Sequence, residues 1–358
     1  MLKKILKIVG LTIAIIAALV VGYVLYVIVS YNRIQDMQAL EVSQKAQTQC
    51  VKLNTEYAAI TQNCGFGAYS PDFTFFMDGG TQVWAKSKES AVANIDTAAS
   101  EVLSFEPDFV FFQEVDTDST RSYHINQQDQ IAKYFPEYDQ IFAVNFHSVF
   151  CAYPLTQPHG ICNAGIMTLS KAKVKQALRR SLPVSSEFER FFDLDRCYSV
   201  SRIPVENGKD LVLYNVHLSA YCEDSKIRDS QLKQLLSDMH EEYENGNYAV
   251  CGGDFNQDFT GDSVLSLNNE KAKESQWSTQ PFPKEFLPEG ILQALKYDDS
   301  KLIPTCRASD VPYGPDCITY VLDGFLVSRN VKVTRLHNVD TEFAYSDHNP
   351  VYMRFTLE

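Results

Sequence analysis

No C-x-x-C spacing occurs in this 358-residue chain, although it holds nine cysteines, so a structural zinc site is not expected. There is no internal repeat and no low-complexity tract, which argues against a solenoid or a disordered chain. No Pro- or Gly-rich break divides residues 57–358, and that stretch reads as one domain. Positive charge is scarce. Four of the 32 basic residues (Lys3, Lys4, Lys7 and Arg33) lie in the first 34 positions, which contain no acid. The remainder carries 28 basic and 45 acidic residues, a net charge of −17. Such a domain gains nothing from general attraction to polyanions, and this excludes a protein that coats duplexes. It does not exclude a metal site, because carboxylates bind metal and metal binds phosphate.

Charge is missing altogether from Ile8 to Tyr31, a run of 24 residues. That length crosses a bilayer core of roughly 30 Å as a helix. The lysines before it predict an N-terminus in the cytoplasm and a domain outside, a single-pass arrangement at the cell membrane. The run is long for the apolar region of a signal peptide, and no clear A-x-A site follows it. An uncleaved signal anchor is therefore expected over residues 1–34, with a polar stalk over 35–56.

Hydrophobic content of 45% and charged content of 22% suit a globular domain with a sizeable core. All nine cysteines (Cys50, Cys64, Cys151, Cys162, Cys197, Cys222, Cys251, Cys306 and Cys317) lie beyond the anchor. An oxidising exterior permits disulfides, with Cys151/Cys162 and Cys306/Cys317 as candidate pairs. The odd number leaves at least one thiol over. Cys251, inside an apolar strand, fits a small buried residue instead.

Strand-like and helix-like stretches alternate along the domain. Strands are predicted at EYAAITQN, Asp108–Val115, Asn163–Ser170, Asp210–Leu218, Tyr248–Cys251 (closed by Gly252-Gly253), Gly324–Val327 and Val351–Leu357. Helices are predicted over Ser90–Ser104, Asp129–Phe135 and Ser225–Tyr243. Polar residues cluster at the strand ends: Asn63, Glu114, His217, Asp254, Asn256, Asp323, Asp347 and His348. In an α/β protein, strand ends on one edge of a sheet form the site. Each residue also has a structural explanation. Asn63 suits a turn, Glu114 a surface acid, His217 a satisfied core histidine, GGDFN a tight turn and DG a hairpin. That all of them should be structural together is improbable.

Phosphoester hydrolysis suits this set. A hard cation neutralises the charge that repels a nucleophile, and Mg²⁺ takes a carboxylate plus a few oxygens. Glu114 and Asn63 offer such donors, and Asp347 offers another. Asp254 suits the orientation and deprotonation of water. His348 suits stabilisation of the phosphoryl oxygens, provided Asp323 keeps it charged.

The ordered set QE, HL, GGDFN, DG and SDH resembles the endonuclease/exonuclease/phosphatase superfamily over about residues 57–358. GDFN and SDH together, with QE upstream, form a specific signature. GFGAYSPDFTFFMDGG, STRSYHIN and NAGIMTLSK resemble a membrane-anchored branch from Gram-positive bacteria. The resemblance implies an α/β fold, a four-layer α/β/β/α sandwich of the DNase I type, and a divalent metal, Mg²⁺ or Mn²⁺. It implies metal binding by Asn63, Glu114 and Asp347, phosphate contact by His217 and Asn256, water activation by Asp254, and a pairing of Asp323 with His348. Exonuclease III-like members often carry an acid two residues after the Asn; here Gly65 stands there, and Asp78 is a possible substitute.

The substrate stays open between nucleic acid, a phospholipid or sphingomyelin head group, and an inositol phosphate or other small ester. A basic group (Arg179, Arg180, Arg190, Arg196 and Arg202) is a candidate phosphate receiver. The aromatic stretch at residues 66–77 suits lipid contact, base stacking or plain core packing. The membrane is the expected partner through the N-terminal helix, and no protein partner is expected. The rival reading is an inactive membrane-tethered binding module on the same scaffold.

Overall fold

Phe109 and Phe111 face one side of their strand and Val110 and Phe112 the other, as the two-residue period of an extended chain requires. A strand apolar on both faces needs cover on both. The structure is a computed structural model. It describes residues 1–185, 188–191, 193–220, 225–268, 279–295 and 301–358.

Two sheets stack. Fifteen strands are described: β1 (Gln38–Ala39), β2 (Tyr57–Asn63), β3 (Phe109–Asp116), β4 (Asp139–His147), β5 (Asn163–Ser170), β6 (Gln176–Ser181), β7 (Cys197–Pro204), β8 (Asp210–His217), β9 (Tyr248–Asp254), β10 (Ile291–Gln293), β11 (Cys306–Arg307), β12 (Thr319–Tyr320), β13 (Asp323–Ser328), β14 (Val331–Asn338) and β15 (Val351–Leu357). One sheet has the order β14-β15-β2-β3-β5-β4, the other β1-β6-β7-β8-β9-β13-β10, and β11 and β12 form a small pair. Ala59, Phe109 and Phe111 of the first sheet meet Leu211, Leu213, Val250 and Phe325 of the second.

Helices cover the outer faces. Helix α1 spans Leu2–Ser30, α2 Lys88–Ser104, α3 Gln127–Ala132, α4 Ser225–Glu244 and α5 Ser263–Asn268. Ile95, Ala99 and Val102 of α2 recur at helical spacing and pack on Ile60, Val110 and Phe112. Ser87 caps this helix by accepting from Ser90 N, and Ser90 Oγ accepts from Ser87 N in return. Leu232, Leu235, Leu236 and Met239 of α4 pack on Val212, Tyr214, Ala249 and Cys251. The result is the expected α/β/β/α sandwich, preceded by one apolar helix long enough to cross a membrane.

Several expectations change. Strand β9 does not close at Cys251 but runs on through Gly252 and Gly253 to Asp254. The two glycines serve close packing rather than a turn. A Cβ on Gly252 would lie 2.7 Å from Phe325, and one on Gly253 would lie 2.1 Å from Val216 O. Strands β4, β6, β7 and β14 are absent from the sequence reading. In β6, QALRRS, two arginines break the apolar alternation, yet Arg179 is buried through bonds to Val144 O and Asp195 O.

The basic group is not a free surface. Arg180 pairs with Asp36 and Asp238, Arg202 with Glu242, Arg179 with Asp195, and Arg196 donates to Leu218 O. Arg190 lies over the Tyr31 and Phe191 rings. The aromatic stretch is largely core: Phe66, Tyr69, Phe73 and Phe75 are buried together. The two candidate disulfides do not form; Cys151, Cys162, Cys306 and Cys317 are free thiols. Cys162 turns into a pocket with Phe146 and Ala164, whereas Cys151 stays half exposed on a loop. Cys222 lies outside the described residues.

Residues read as a stalk touch the domain. Strand β1 pairs with β6, and Val51 N donates to Pro204 O. Asp139, fully buried, accepts from Lys45 N at 2.6 Å and Ala46 N at 2.9 Å. A chain of residues 35–358 is therefore expected to unfold cooperatively. Starting instead at residue 57 removes both of these donors to Asp139 Oδ1 and leaves Val174 N on Oδ2, and each lost bond costs roughly 1–3 kcal/mol. Thermal unfolding checks this; equal midpoints for the two chains would show that 35–56 contributes nothing.

Candidate active site

Strand pairing decides which polar residues meet. In the first sheet β2 and β3 run parallel, with Asn63 opposite Gln113, so both end on one edge. In the second sheet β8 and β9 are parallel with His217 opposite Asp254, and β13 is antiparallel with Asp323 opposite Asp254. Strand β15 is antiparallel to β2, with Val351 opposite Thr61, so the loop before it arrives at the same edge with Asp347 and His348. A buried polar clamp joins the sheets beneath. Gln113 Nε2 donates to Asn215 Oδ1 at 2.8 Å, and Asn215 Nδ2 donates to Phe112 O and Met167 O.

Glu114 departs from its strand. Register shifts between Phe112 and Val115, and Glu114 has φ of 53°. A bulge of this kind re-aims a side chain, and a non-glycine residue in the left-handed region is a costly choice that clusters at functional sites. Its carboxylate is a quarter exposed, whereas Asp254, Asp323, His217 and His348 are buried.

Asp254 stands at the centre. Its Oδ1 accepts from Asn256 N at 2.9 Å. Its Oδ2 accepts from Asn63 Nδ2 at 3.1 Å and lies 3.6 Å from His217 Nε2 and 3.8 Å from His348 Nε2. Burial, and then the nearby Asp323 carboxylate, push Asp254 up to about 7. His348 Nδ1 lies 2.8 Å from Asp323 Oδ2. Burial is the largest influence and works against a charged His348, but the charge and hydrogen bond of Asp323, with Cys306 and Asp254, together outweigh it and favour the protonated imidazole. His217 goes the other way. Burial, and then the charges of Arg196 and His348, keep it neutral. Two histidines within 4 Å of one carboxylate thus differ in charge.

Asn63 and Asn256 are placed by backbone. Asn63 Oδ1 accepts from Gly65 N at 3.0 Å, while Nδ2 faces Glu114 Oε1 at 3.3 Å. Asn256 donates from Nδ2 to Leu218 O at 2.8 Å. Asp347 is half-buried and raised to about 6, by desolvation first and by the Glu114 charge, with His348 opposing. Gly65 explains the missing acid. Its φ is +48°, and a Cβ there would meet Tyr69 Cδ2 at 2.6 Å and Asp347 Oδ1 at 2.7 Å. The Asp347 carboxylate already occupies that space. Asp78 sits on a short turn, Phe76–Asp78, rather than at a strand end.

Among the described residues, Asp254, Asp323 and His348 form a group of three whose ligand atoms all lie within 4.8 Å of one another. The expected metal set of Asn63, Glu114 and Asp347, an amide with two acids, is a separate group at the same edge. The closeness of Asp323 and His348 reflects their hydrogen bond. Three positioning residues escaped the sequence reading. Gln62 donates to His348 O, Ser346 to Asn63 O, and Thr305 Oγ1 accepts from Asp323 N. Ser346 lies within the SDH motif and was findable; Thr305 is 18 residues from Asp323 and carried no signal.

The Endonuclease/Exonuclease/phosphatase family model matches residues 60–348. Among solved structures, an endonuclease/exonuclease/phosphatase from Beutenbergia cavernae DSM 12333 is 17% identical, covering 84% of this chain and 72% of that one, with a TM-score of 0.58. A family protein from Leptotrichia buccalis is also 17% identical, with 84% and 100% covered and a TM-score of 0.54. TDP2 from D. rerio, solved with a single-strand DNA product, is 15% identical, with 85% and 100% covered and a TM-score of 0.53. Comparison with the curated proteins gives no match. Members of the family are in general metal-dependent hydrolases of phosphoester bonds. With the fold, the motif order and the strand-edge site in agreement, this chain belongs to the endonuclease/exonuclease/phosphatase family.

Proposed function

We propose that this chain is a membrane-anchored, extracytoplasmic phosphoesterase that depends on a divalent metal, Mg²⁺ or Mn²⁺. One geometric observation carries the reading: Asp254 Oδ2 faces Asn63, His217 and His348 at once. A water held there has a carboxylate to take its proton, and Asn256 N fixes that carboxylate by binding its other oxygen. His348, held by Asp323, meets charge that develops on the phosphoryl oxygens. Neutral His217 and the Asn256 amide suit contact with the phosphate.

The donor set fits a hard cation. Glu114 and Asp347 crowd negative charge at the open side of the site, next to Asn63, and among the described residues no lysine or arginine is bonded to either carboxylate. Asn63, Glu114 and Asp347 would hold the metal, and Asp323 and His348 would remain a hydrogen-bonded pair. The metal would supply neutralisation of phosphate charge. An inactive binding module is disfavoured because every acid and both histidines of the motif are present and converge.

A screen of the protein against DNA, RNA, sphingomyelin and inositol phosphates tests this, with Mg²⁺ and with chelator. Hydrolysis of one class, lost on chelation, is the expected result; activity unaffected by chelation would overturn metal dependence. For orientation, protease added to intact cells should digest the domain, and protection until lysis would reverse the topology.

A further inference from the structure

Residues 148–162, SVFCAYPLTQPHGIC, contain no Asp, Glu, Lys or Arg, in a domain that is otherwise rich in acid. Its one titratable imidazole, His159, is buried and pushed down to about 3, so it is neutral; burial is the main cause, followed by Arg121. The loop nevertheless exposes large apolar side chains. Leu155 is 87% exposed, Tyr153 68%, and Phe150 and Ile161 close to 40%. Such an uncharged apolar surface marks an interaction site.

Two features indicate what covers it. The first is the anchor. Tyr23 Oη donates to Phe150 O at 2.9 Å and accepts from Ala152 N at 3.1 Å. Phe150 N donates to Tyr26 Oη at 3.4 Å, and Val27 packs with Val149 and Phe191. At 1.5 Å per residue, a core of roughly 30 Å entered at Ile8 is left near Val27. The loop touches α1 at that depth, not beyond its end at Ser30. Tyrosines are enriched at this level of a bilayer. The second feature is the site. The loop joins β4 to β5, and Asp116 pairs with Ala164, so it leaves the sheet at the same end as Glu114.

We propose that the loop 148–162 rests in the outer leaflet and presents the neighbouring site to the bilayer, so that the phosphoester it takes belongs to a membrane lipid head group. This rests on the phosphoesterase reading for the chemistry and on α1 as a retained anchor for the placement.

The test uses the full chain reconstituted in vesicles of phosphatidylethanolamine, phosphatidylglycerol and sphingomyelin. In Leu155→Trp, fluorescence beyond that of the parent chain should be quenched by lipids brominated on the upper acyl chain. A control, Lys332→Trp, sits at the opposite end of the sheet and should not be quenched. Equal quenching of the two probes overturns the membrane surface. The double variant Tyr153→Ser/Leu155→Ser changes only exposed side chains, so folding is not at stake. It should lower vesicle-lipid hydrolysis about tenfold, as apolar burial is lost. Its hydrolysis of soluble bis(p-nitrophenyl) phosphate should not change. Cleavage of the soluble ester with no cleavage of any vesicle lipid overturns the lipid substrate. Absence of both cleavages in the parent chain overturns the phosphoesterase reading, while the quenching still decides the surface.

Discussion

Asp254→Asn is expected to lower kcat by about 10²–10⁴, the range for removal of a general base, with KM nearly unchanged. The substitution keeps the shape and leaves an oxygen for Asn256 N, while the amide nitrogen that replaces Oδ2 gives up the bond from Asn63 Nδ2. It removes the charge that would accept a proton from water. Because that interaction strengthens only as the transition state forms, the loss falls on kcat. Thermal unfolding should change little, since loss of the Asn63 bond is offset by removal of a buried carboxylate that is crowded by Asp323. His348→Ala should cost kcat similarly. Asp323→Asn should be milder, because His348 loses its charge partner at 2.8 Å but keeps its place through Gln62, which holds its backbone carbonyl. Steady-state kinetics decide the matter; an Asp254→Asn enzyme with near-normal kcat and a raised KM would sink the water-activating role.

Glu114→Ala should raise the Mg²⁺ concentration for half-maximal activity by about 10–100-fold or more, at least the loss typical when a supporting group of a metal site is removed. Glu114 is a partly exposed carboxylate, on a bulge that turns it out of its strand, and Asn63 bonds to it at 3.3 Å. Alanine at φ of 53° is no more strained than glutamate, so the fold should persist. Direct Mn²⁺ binding, followed by electron paramagnetic resonance, gives a readout that does not depend on turnover. Unchanged Mn²⁺ affinity together with an unchanged Mg²⁺ requirement would remove Glu114 from the metal site.

Legibility in the sequence followed burial pattern. Strands with apolar residues on both faces, such as FVFF in β3 and YAVC in β9, stood out because both sides of those strands are covered. Strand β6, between the short β1 and β7, and the edge strand β14 did not, because their polarity is satisfied by partners far along the chain. The arginines of residues 179–202 read as a phosphate surface, since their acid partners (Asp36, Asp195, Asp238 and Glu242) lie 16 to 144 positions away. The glycines of GGDFN read as a turn, since only the facing Phe325 and Val216 reveal close packing.

By itself the sequence determined the chemistry on offer: the acids, amides and histidines at strand ends, their order, and an uncharged run long enough for a membrane. Side-chain type and local period are properties of short windows, so these needed no fold. Only the tertiary structure decided their arrangement. It set His217 neutral and His348 charged around Asp254, placed Asp347 where Gly65 leaves room, and laid the 148–162 loop against α1. Such facts depend on distances between residues up to 286 positions apart, as from Gln62 to His348, and on the water excluded between them.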